Sequence, residues 1–140
     1  MIYLGLDLGS KTLGLSISDR TSTIATSLEV IRYNTEEELF NRLKEIVYTK
    51  KVDAFVLGNP LNLDGSVSKR SEETFLFKEK LENVFKTKEV FLQDERLSTV
   101  EAQRLLLSND TRRDKRKKVV DKIAATIILQ AFLDRRKNER

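Results

Sequence analysis

The fold is decided by the stretch from Tyr3 to Ser18, which reads YLGLDLGSKTLGLSIS. Its first half alternates like an apolar strand, but Asp7 stands where a central strand usually carries Val or Ile. Gly9 and the Ser10-Lys11 pair break the strand, and the alternation then resumes. The pattern predicts a β-hairpin with a carboxylate in its first strand. Such a carboxylate either ends the strand as a simple cap or, if buried, needs a strong hydrogen-bond donor, a cation or a metal ion.

Length and composition restrict the chemistry. The chain has 140 residues, so we expect a single domain, residues 1–140, with a core under both faces of a small sheet. It contains no Cys and no His, which excludes thiol catalysis, zinc–thiolate sites and triads with a histidine base. Carboxylates, hydroxyls, Lys and Arg remain, and oxygen ligands favour Mg²⁺ or Mn²⁺ over zinc.

The sequence has no apolar run of membrane-spanning length. Its N-terminus also lacks the basic and then apolar layout of a signal peptide, because Asp7 falls within the region that would be apolar. We therefore expect a cytoplasmic protein with no membrane partner.

Periodicity and turn signals predict the order of the elements. After the hairpin we expect a third strand at Ile24–Ile31, a helix from the Thr35/Glu38 capping box to Lys50, a strand at Val52–Leu57, a helix at Lys69–Phe85, a strand at Glu89–Gln93, a helix opened by Ser98 and Glu101, and a last helix at Lys118–Arg135. This order predicts an α/β fold. Its five-stranded mixed sheet would have three antiparallel strands, two further parallel strands and helices on both faces.

Three carboxylates are predicted at the edges of this sheet. Asp7 lies in the first strand, Glu95 follows the last strand, and Asp121 shares a helix face with Ala124 and Ala125. Each has a simpler explanation, since Glu95, for example, could serve a helix dipole. Together they would repel one another unless cations neutralise them, and a pair of divalent metal ions is suited to phosphodiester hydrolysis without His or Cys.

A basic block follows in the sequence. Seven basic and two acidic residues lie between Arg112 and Lys122. Such a block indicates a phosphate-bearing partner, although a solvated loop is an equally simple interpretation. The candidate nucleic-acid contacts are Lys11, Arg96, Arg112, Arg113, Lys115, Arg116, Lys117 and Lys118.

Four motifs carry a resemblance to a known family. They are Gly5–Lys11 (GLDLGSK), Asn59–Gly65 (NPLNLDG), Gln93–Thr99 (QDERLST) and Lys118–Asp121 (KVVD) running into Ala124-Ala125. On these motifs the chain resembles the YqgF or RuvX family of ribonuclease-H-like proteins, whose members are named Holliday junction resolvases and pre-16S rRNA processing nucleases. The residue before the loop proline is more often apolar in that family than Asn59.

The resemblance implies a ribonuclease-H-like fold and a nuclease. It implies that Asp7, Glu95 and Asp121 are the catalytic acids and hold Mg²⁺ or Mn²⁺. The substrate would be structured nucleic acid, and processing of the 5′ end of pre-16S rRNA is favoured over resolution of branched DNA. A resolvase would suit a symmetric dimer, so both a monomer and a homodimer stay open.

Two other functions are compatible with parts of the sequence. The segment Asp7–Thr12 also looks like the first phosphate loop of actin-like sugar kinases and chaperone ATPases, but those proteins need a second lobe, for which this chain has no room. A module that binds RNA without cutting it is the remaining alternative, because carboxylates placed for a metal need not turn over.

Overall fold

The computed structural model describes residues 1–60, 64–94 and 113–138, with the side chains of 113–122 and 138 excepted. The strands are β1 (Tyr3–Leu8), β2 (Thr12–Ser18), β3 (Ala25–Arg32), β4 (Ala54–Asn59) and β5 (Glu89–Asp94). The helices are α1 (Glu36–Lys50), α2 (Lys69–Val84) and α3 (Arg113–Asn138). The helix predicted to open at Ser98 lies outside these residues.

The five strands form one mixed sheet in the order β3-β2-β1-β4-β5. β2 pairs antiparallel with both β1 and β3, whereas β4 lies parallel to β1 and to β5. A strand cannot be joined to a parallel neighbour by a tight turn and needs a crossover connection. α1 carries the chain from β3 across to β4, which lies parallel to β1, and α2 carries it from β4 to its parallel neighbour β5. The predicted fold class is confirmed.

Each face of the sheet buries its own apolar cluster. Leu4, Leu6, Phe55 and Leu57 point toward α1 and α2, and the alternate positions Tyr3, Ala54 and Val56 point toward α3. The apolar face predicted for α3 is buried at Ala124, Ala125, Ile128 and Phe132, and Leu129 and Leu133 complete it. Among the described helices, α3 alone covers this second face of the sheet.

Several predicted boundaries were wrong. α3 begins at Arg113 rather than Lys118, because Arg and Lys are good helix formers and the basic block continues the helix instead of forming a loop. α2 ends at Val84 rather than Phe85, and the Val84 side chain is 38% exposed. β3 begins at Ala25, since the amide of Ile24 donates to Asp19 Oδ1 at 3.0 Å within the preceding turn.

The parallel strand β4 spans Ala54–Asn59 rather than Val52–Leu57. The capping signals located the starts of the helices more accurately. Thr35 accepts a hydrogen bond from the amide of Glu38 at 3.3 Å, and the Glu38 carboxylate reaches the amide of Asn34 at 3.2 Å instead of that of Thr35. None of the described helices is long and apolar enough to cross a membrane.

Candidate active site at the carboxyl edge of the sheet

Asp7 lies near the end of β1, the central strand of the sheet. It pairs with Gly14 of β2 and lies one residue beyond Leu6, which pairs with Leu57 of β4. Asp7 is half-buried and already engages a neighbour. By alternation its side chain is on the α3 face, with Tyr3 and Gly5. The hairpin predicted around this carboxylate is confirmed.

Three strands end beside Asp7. β1, β4 and β5 run parallel, so their carboxyl ends at Leu8, Asn59 and Asp94 share one edge of the sheet, which we call the carboxyl edge. Glu95 is the residue after β5 in the sequence, and it lies outside the described residues together with Arg96 and Arg112.

Gly5 sets the approach of α3 to the sheet. A Cβ at this position would lie 2.8 Å from Leu129 Cβ and 3.0 Å from the carbonyl oxygen of Ala125. The buried hydroxyl of Ser16 donates to that same carbonyl at 2.6 Å. A side chain on Gly5 would therefore push the helix away, so glycine is needed here for close packing.

The contacts of α3 give its direction. Its Ala125 lies at Gly5, and the ring of its Phe132 lies 5.3 Å from the ring of Tyr3. From Tyr3 to Gly5 the chain moves forward along β1, while the residues in contact move backward along α3, from Phe132 to Ala125. α3 therefore runs antiparallel to β1. Its N-terminal half runs toward the carboxyl edge, and Asp121 precedes Ala125 by one helical turn.

The described structure brings together only part of the predicted site. The backbone of α3 carries Asp121 and five of the predicted nucleic-acid contacts, whose side chains are not described. Those five contacts are Arg113, Lys115, Arg116, Lys117 and Lys118. Lys11 is exposed in the turn between β1 and β2. No group of three potential metal-binding side chains occurs within the described residues.

Two buried amides at the carboxyl edge were missed by the sequence interpretation. Gln93 is only 9% exposed and Asn59 only 8%, and the side-chain carbonyl oxygens of both have no hydrogen-bond partner among the described residues. Gln93 pairs with Gly58, which places it on the α3 face at the level of Asp7. A polar residue ending the apolar run of β5 was the available signal.

Arg70 was also missed. It lies in the first turn of α2, and its Nη2 donates to the carbonyl oxygen of Leu8 at 3.1 Å. The α2 N-terminus is fixed by Ser68, whose hydroxyl accepts from the amide of Ser71 at 3.0 Å, while the Ser71 hydroxyl donates to the carbonyl of Pro60 at 3.1 Å. The loop thus places the guanidinium of Arg70 on the backbone of Leu8, the residue that follows Asp7.

Asp64 and Gly65 form a turn in the same loop. Asp64 Oδ1 accepts from the amide of Ser66 at 2.9 Å, and Gly65 has a φ of 89°. Glycine suits this left-handed conformation.

A carboxylate with a lowered pKa lies away from the carboxyl edge. The hydroxyl of Thr21 and the amides of Ile24 and Thr23 lower the pKa of Asp19 to about 2. This exposed residue is in the turn between β2 and β3, at the opposite edge, so it stabilises the turn.

Solved structures with a similar fold place this architecture in a class. *Thermus thermophilus* RuvC in complex with a Holliday junction substrate aligns with a TM-score of 0.57 at 16% identity, over 97% of this chain and 96% of that chain. The fowlpox virus Holliday junction resolvase aligns with a TM-score of 0.55 at 15% identity, over 96% and 99%. The protein thus has the ribonuclease-H-like fold of these resolvases.

Sequence comparison is more specific. Residues 1–135 match the family RuvX, described as Holliday junction resolvase, and the chain belongs to this family. A *Bacillus cytotoxicus* protein named "Putative pre-16S rRNA nuclease" is 47% identical over 96% of this chain and 98% of its own. A protein of the same name from *Caldanaerobacter subterraneus* subsp. *tengcongensis* is 47% identical over 99% of each chain. The resemblance deduced from the motifs is confirmed.

Proposed function

We propose that the chain is a metal-dependent nuclease that hydrolyses phosphodiester bonds in structured nucleic acid at the carboxyl edge. The observation that carries the proposal is the position of Asp7, on the central strand at the edge where β4 and β5 also end. The family match over residues 1–135 supports one nuclease domain across residues 1–140.

The spacing of the backbone supports a site shared by Asp7 and Asp121. Asp7 lies two residues beyond Gly5, or roughly 7 Å along the strand. Asp121 lies four residues before Ala125, or roughly 6 Å along the helix axis. Since Ala125 lies at Gly5 and α3 runs antiparallel to β1, the two offsets carry both acids toward the same level. Glu95, the residue after β5, would enter from the same edge.

Mg²⁺ or Mn²⁺ fits the donors available there. Asp7, Glu95 and Asp121 would hold the metal, and the side-chain carbonyl of Gln93, which has no partner among the residues that the structure describes, would add an uncharged oxygen on the same face as Asp7. When bound, the metal would supply activation of a water molecule and stabilisation of the leaving oxygen. The chain's own contribution is to fix these oxygens on a central strand, a sheet edge and a closely packed helix.

Basic residues would hold the substrate backbone. Those of the N-terminal half of α3 continue the helix beyond Asp121, so they extend away from the acids on one rigid element. Lys11 lies in the turn that follows β1, and Arg96 follows Glu95 in the sequence. We assign contacts with phosphates to Lys11, Arg96, Arg112, Arg113, Lys115, Arg116, Lys117 and Lys118.

The names of the relatives point to a substrate. Proteins 47% identical over nearly the full length are named for pre-16S rRNA, so we favour processing of the 5′ end of that precursor by a cytoplasmic protein. The family description favours a second candidate, the Holliday junction, which a homodimer would suit better than a monomer.

Cleavage of two labelled substrates side by side tests the choice. One is an RNA spanning the 5′ processing site of the precursor, and the other is a four-way DNA junction, each incubated with Mg²⁺ and then Mn²⁺. We expect the RNA to be cut by the unmodified chain and by Asp53→Asn, a charge-matched control at the opposite edge, but not by Asp7→Asn. Exclusive cutting of the junction would select the second candidate, and unimpaired cutting by Asp7→Asn would contradict the site.

A further inference from the structure

A cavity of about 460 Å³ opens beside the carboxyl edge, within the size range of small-molecule sites. One wall is the turn from Gly9 to Thr12, which directly continues the strand that carries Asp7. The other wall is the junction between β3 and α1, from Arg32 to Asn34. We call this cavity the hairpin pocket.

Backbone contacts join the two walls of the hairpin pocket. Thr12 pairs with Arg32 at the ends of β2 and β3, and the amide of Tyr33 donates to the carbonyl oxygen of Lys11 at 3.2 Å. The amide of Gly9 donates to the carbonyl of Thr12 at 2.8 Å and closes the turn. The pocket is therefore a shaped feature with a fixed backbone, on the same sheet edge as the candidate active site.

The pocket carries two cations that no described acid neutralises. Lys11 and Arg32 line it, and no acidic residue of the described ranges does. Neither side chain forms an ion pair within those ranges, whereas Arg42 binds Glu29 at 2.7 Å and Lys78 binds Glu82 at 3.0 Å. The nearby acid Glu36 is engaged by Lys80. Two unpaired cations facing one cavity favour a phosphate.

Tyr33 adds an aromatic wall. Its ring is half-buried and packs against the core cluster under α1 and α2, which holds it in place at one side of the cavity. Burial, followed by the charge of Glu36, raises the pKa of the Tyr33 phenol, so the phenol stays neutral. A neutral aromatic ring that lines the same cavity as two cations suits the stacking of a base of single-stranded nucleic acid.

We propose that the hairpin pocket receives a nucleotide of the substrate strand that flanks the cut bond, with Lys11 and Arg32 on its phosphate and the Tyr33 ring against its base. The inference rests on the proposed nuclease function, and it adds Arg32 and Tyr33 as substrate-binding residues. The pocket begins at Gly9, two residues or roughly 7 Å beyond Asp7 along the strand, and Thr12 lies back beside Gly9 across the turn. A short stretch of nucleic-acid strand can span this distance.

Binding of a fluorescein-labelled single-stranded RNA tests the pocket, in the Asp7→Asn background so that the RNA stays intact. We expect Arg32→Ala and Tyr33→Leu each to weaken binding about tenfold, and Tyr33→Phe, which keeps the ring, to bind normally. The control is Arg20→Ala, which removes the same charge from an exposed residue in the turn between β2 and β3. A set of RNAs with one abasic position each should reveal a base whose removal weakens the unmodified pocket but not Tyr33→Leu.

The outcomes separate the pocket from the nuclease. Cleavage of the same RNA is recorded with Asp7 intact. If Arg32→Ala and Tyr33→Leu bind as tightly as Arg20→Ala, the pocket proposal is wrong even if the RNA is cut. If they bind more weakly and no cleavage occurs, the pocket stands and the nuclease proposal fails for this RNA. If adenosine monophosphate alone binds as tightly as the RNA, the pocket is a site for a free nucleotide and the strand proposal is overturned.

Discussion

At the scale of single residues, the carboxyl edge holds two buried amide oxygens, those of Asn59 and Gln93, that have no hydrogen-bond partner in the described part of the chain. A buried amide oxygen without a donor costs about 1 to 3 kcal/mol. Gln93 carries such an oxygen on the same face and level as Asp7. A residue that weakens the fold in this place is typical of a functional site.

Replacing Gln93 tests whether its buried oxygen costs stability and serves the site. Gln93→Met preserves volume and removes the unpaired oxygen, so we expect the free energy of unfolding to rise by about 1 kcal/mol. Cleavage should fall, because an oxygen near the acids is lost. Urea unfolding and a cleavage assay measure the two effects. Lower stability with full activity would show that Gln93 is an ordinary core residue.

At the scale of elements, the site depends on how closely α3 packs on β1. Gly5 permits the contact and Ser16 secures it through the carbonyl of Ala125. Asp121 lies one helical turn before this contact, so in the proposed site a shift of the helix would carry Asp121 away from Asp7.

Gly5→Ala tests this packing. The added Cβ would lie 2.2 Å from Ser16 Oγ and 2.8 Å from Leu129 Cβ, so α3 or its side chains must move, which typically costs about 1 to 3 kcal/mol. We expect lower stability in urea unfolding and slower cleavage. The control is Thr26→Ala at an exposed position of β3, where a change within about 0.5 kcal/mol is expected. Equal stability of the two variants would contradict the close contact.

The sequence predicted elements better than their ends. The 2-residue alternation located β1 and β2, and helical spacing located the buried residues of α1 and α3. The start of α3 was predicted at Lys118 instead of Arg113. The composition of a basic block is the same in a helix and in a loop, so composition does not show where the helix begins. Gln93, Asn59 and Arg70 could not be assigned from one sequence, since their importance comes from strand register and from a contact between residues 62 positions apart.

At the scale of the whole molecule, charge organises binding. The chain carries a formal net charge of +4, and α3 concentrates basic residues at its N-terminal half, on the side of the carboxyl edge. Arg32 and Lys11 add a second positive area on the same edge. In the proposed function, a nucleic acid would cross the acids while basic residues of α3 and of the hairpin pocket hold its backbone.

The salt dependence of binding measures this arrangement. If about six basic side chains meet phosphates, the logarithm of the affinity for duplex DNA should fall with the logarithm of salt concentration with a slope near −5, at roughly 0.9 per contact. Replacing both Lys115 and Lys117 with Gln should reduce the slope by about two units. Replacing Lys50 and Lys86, which lie at the C-terminal ends of α1 and α2, should leave it unchanged. A slope near zero would show that the basic residues do not bind the backbone.

The central claim is that Asp7 belongs to a divalent metal site, and calorimetric titration of the substrate-free protein with Mn²⁺ tests it most directly. We predict saturable binding by the unmodified chain and by Asp53→Asn, and an affinity at least about tenfold lower for Asp7→Asn, because one anionic ligand is replaced by a neutral amide. Equal Mn²⁺ affinity of Asp7→Asn and the unmodified chain would contradict the account.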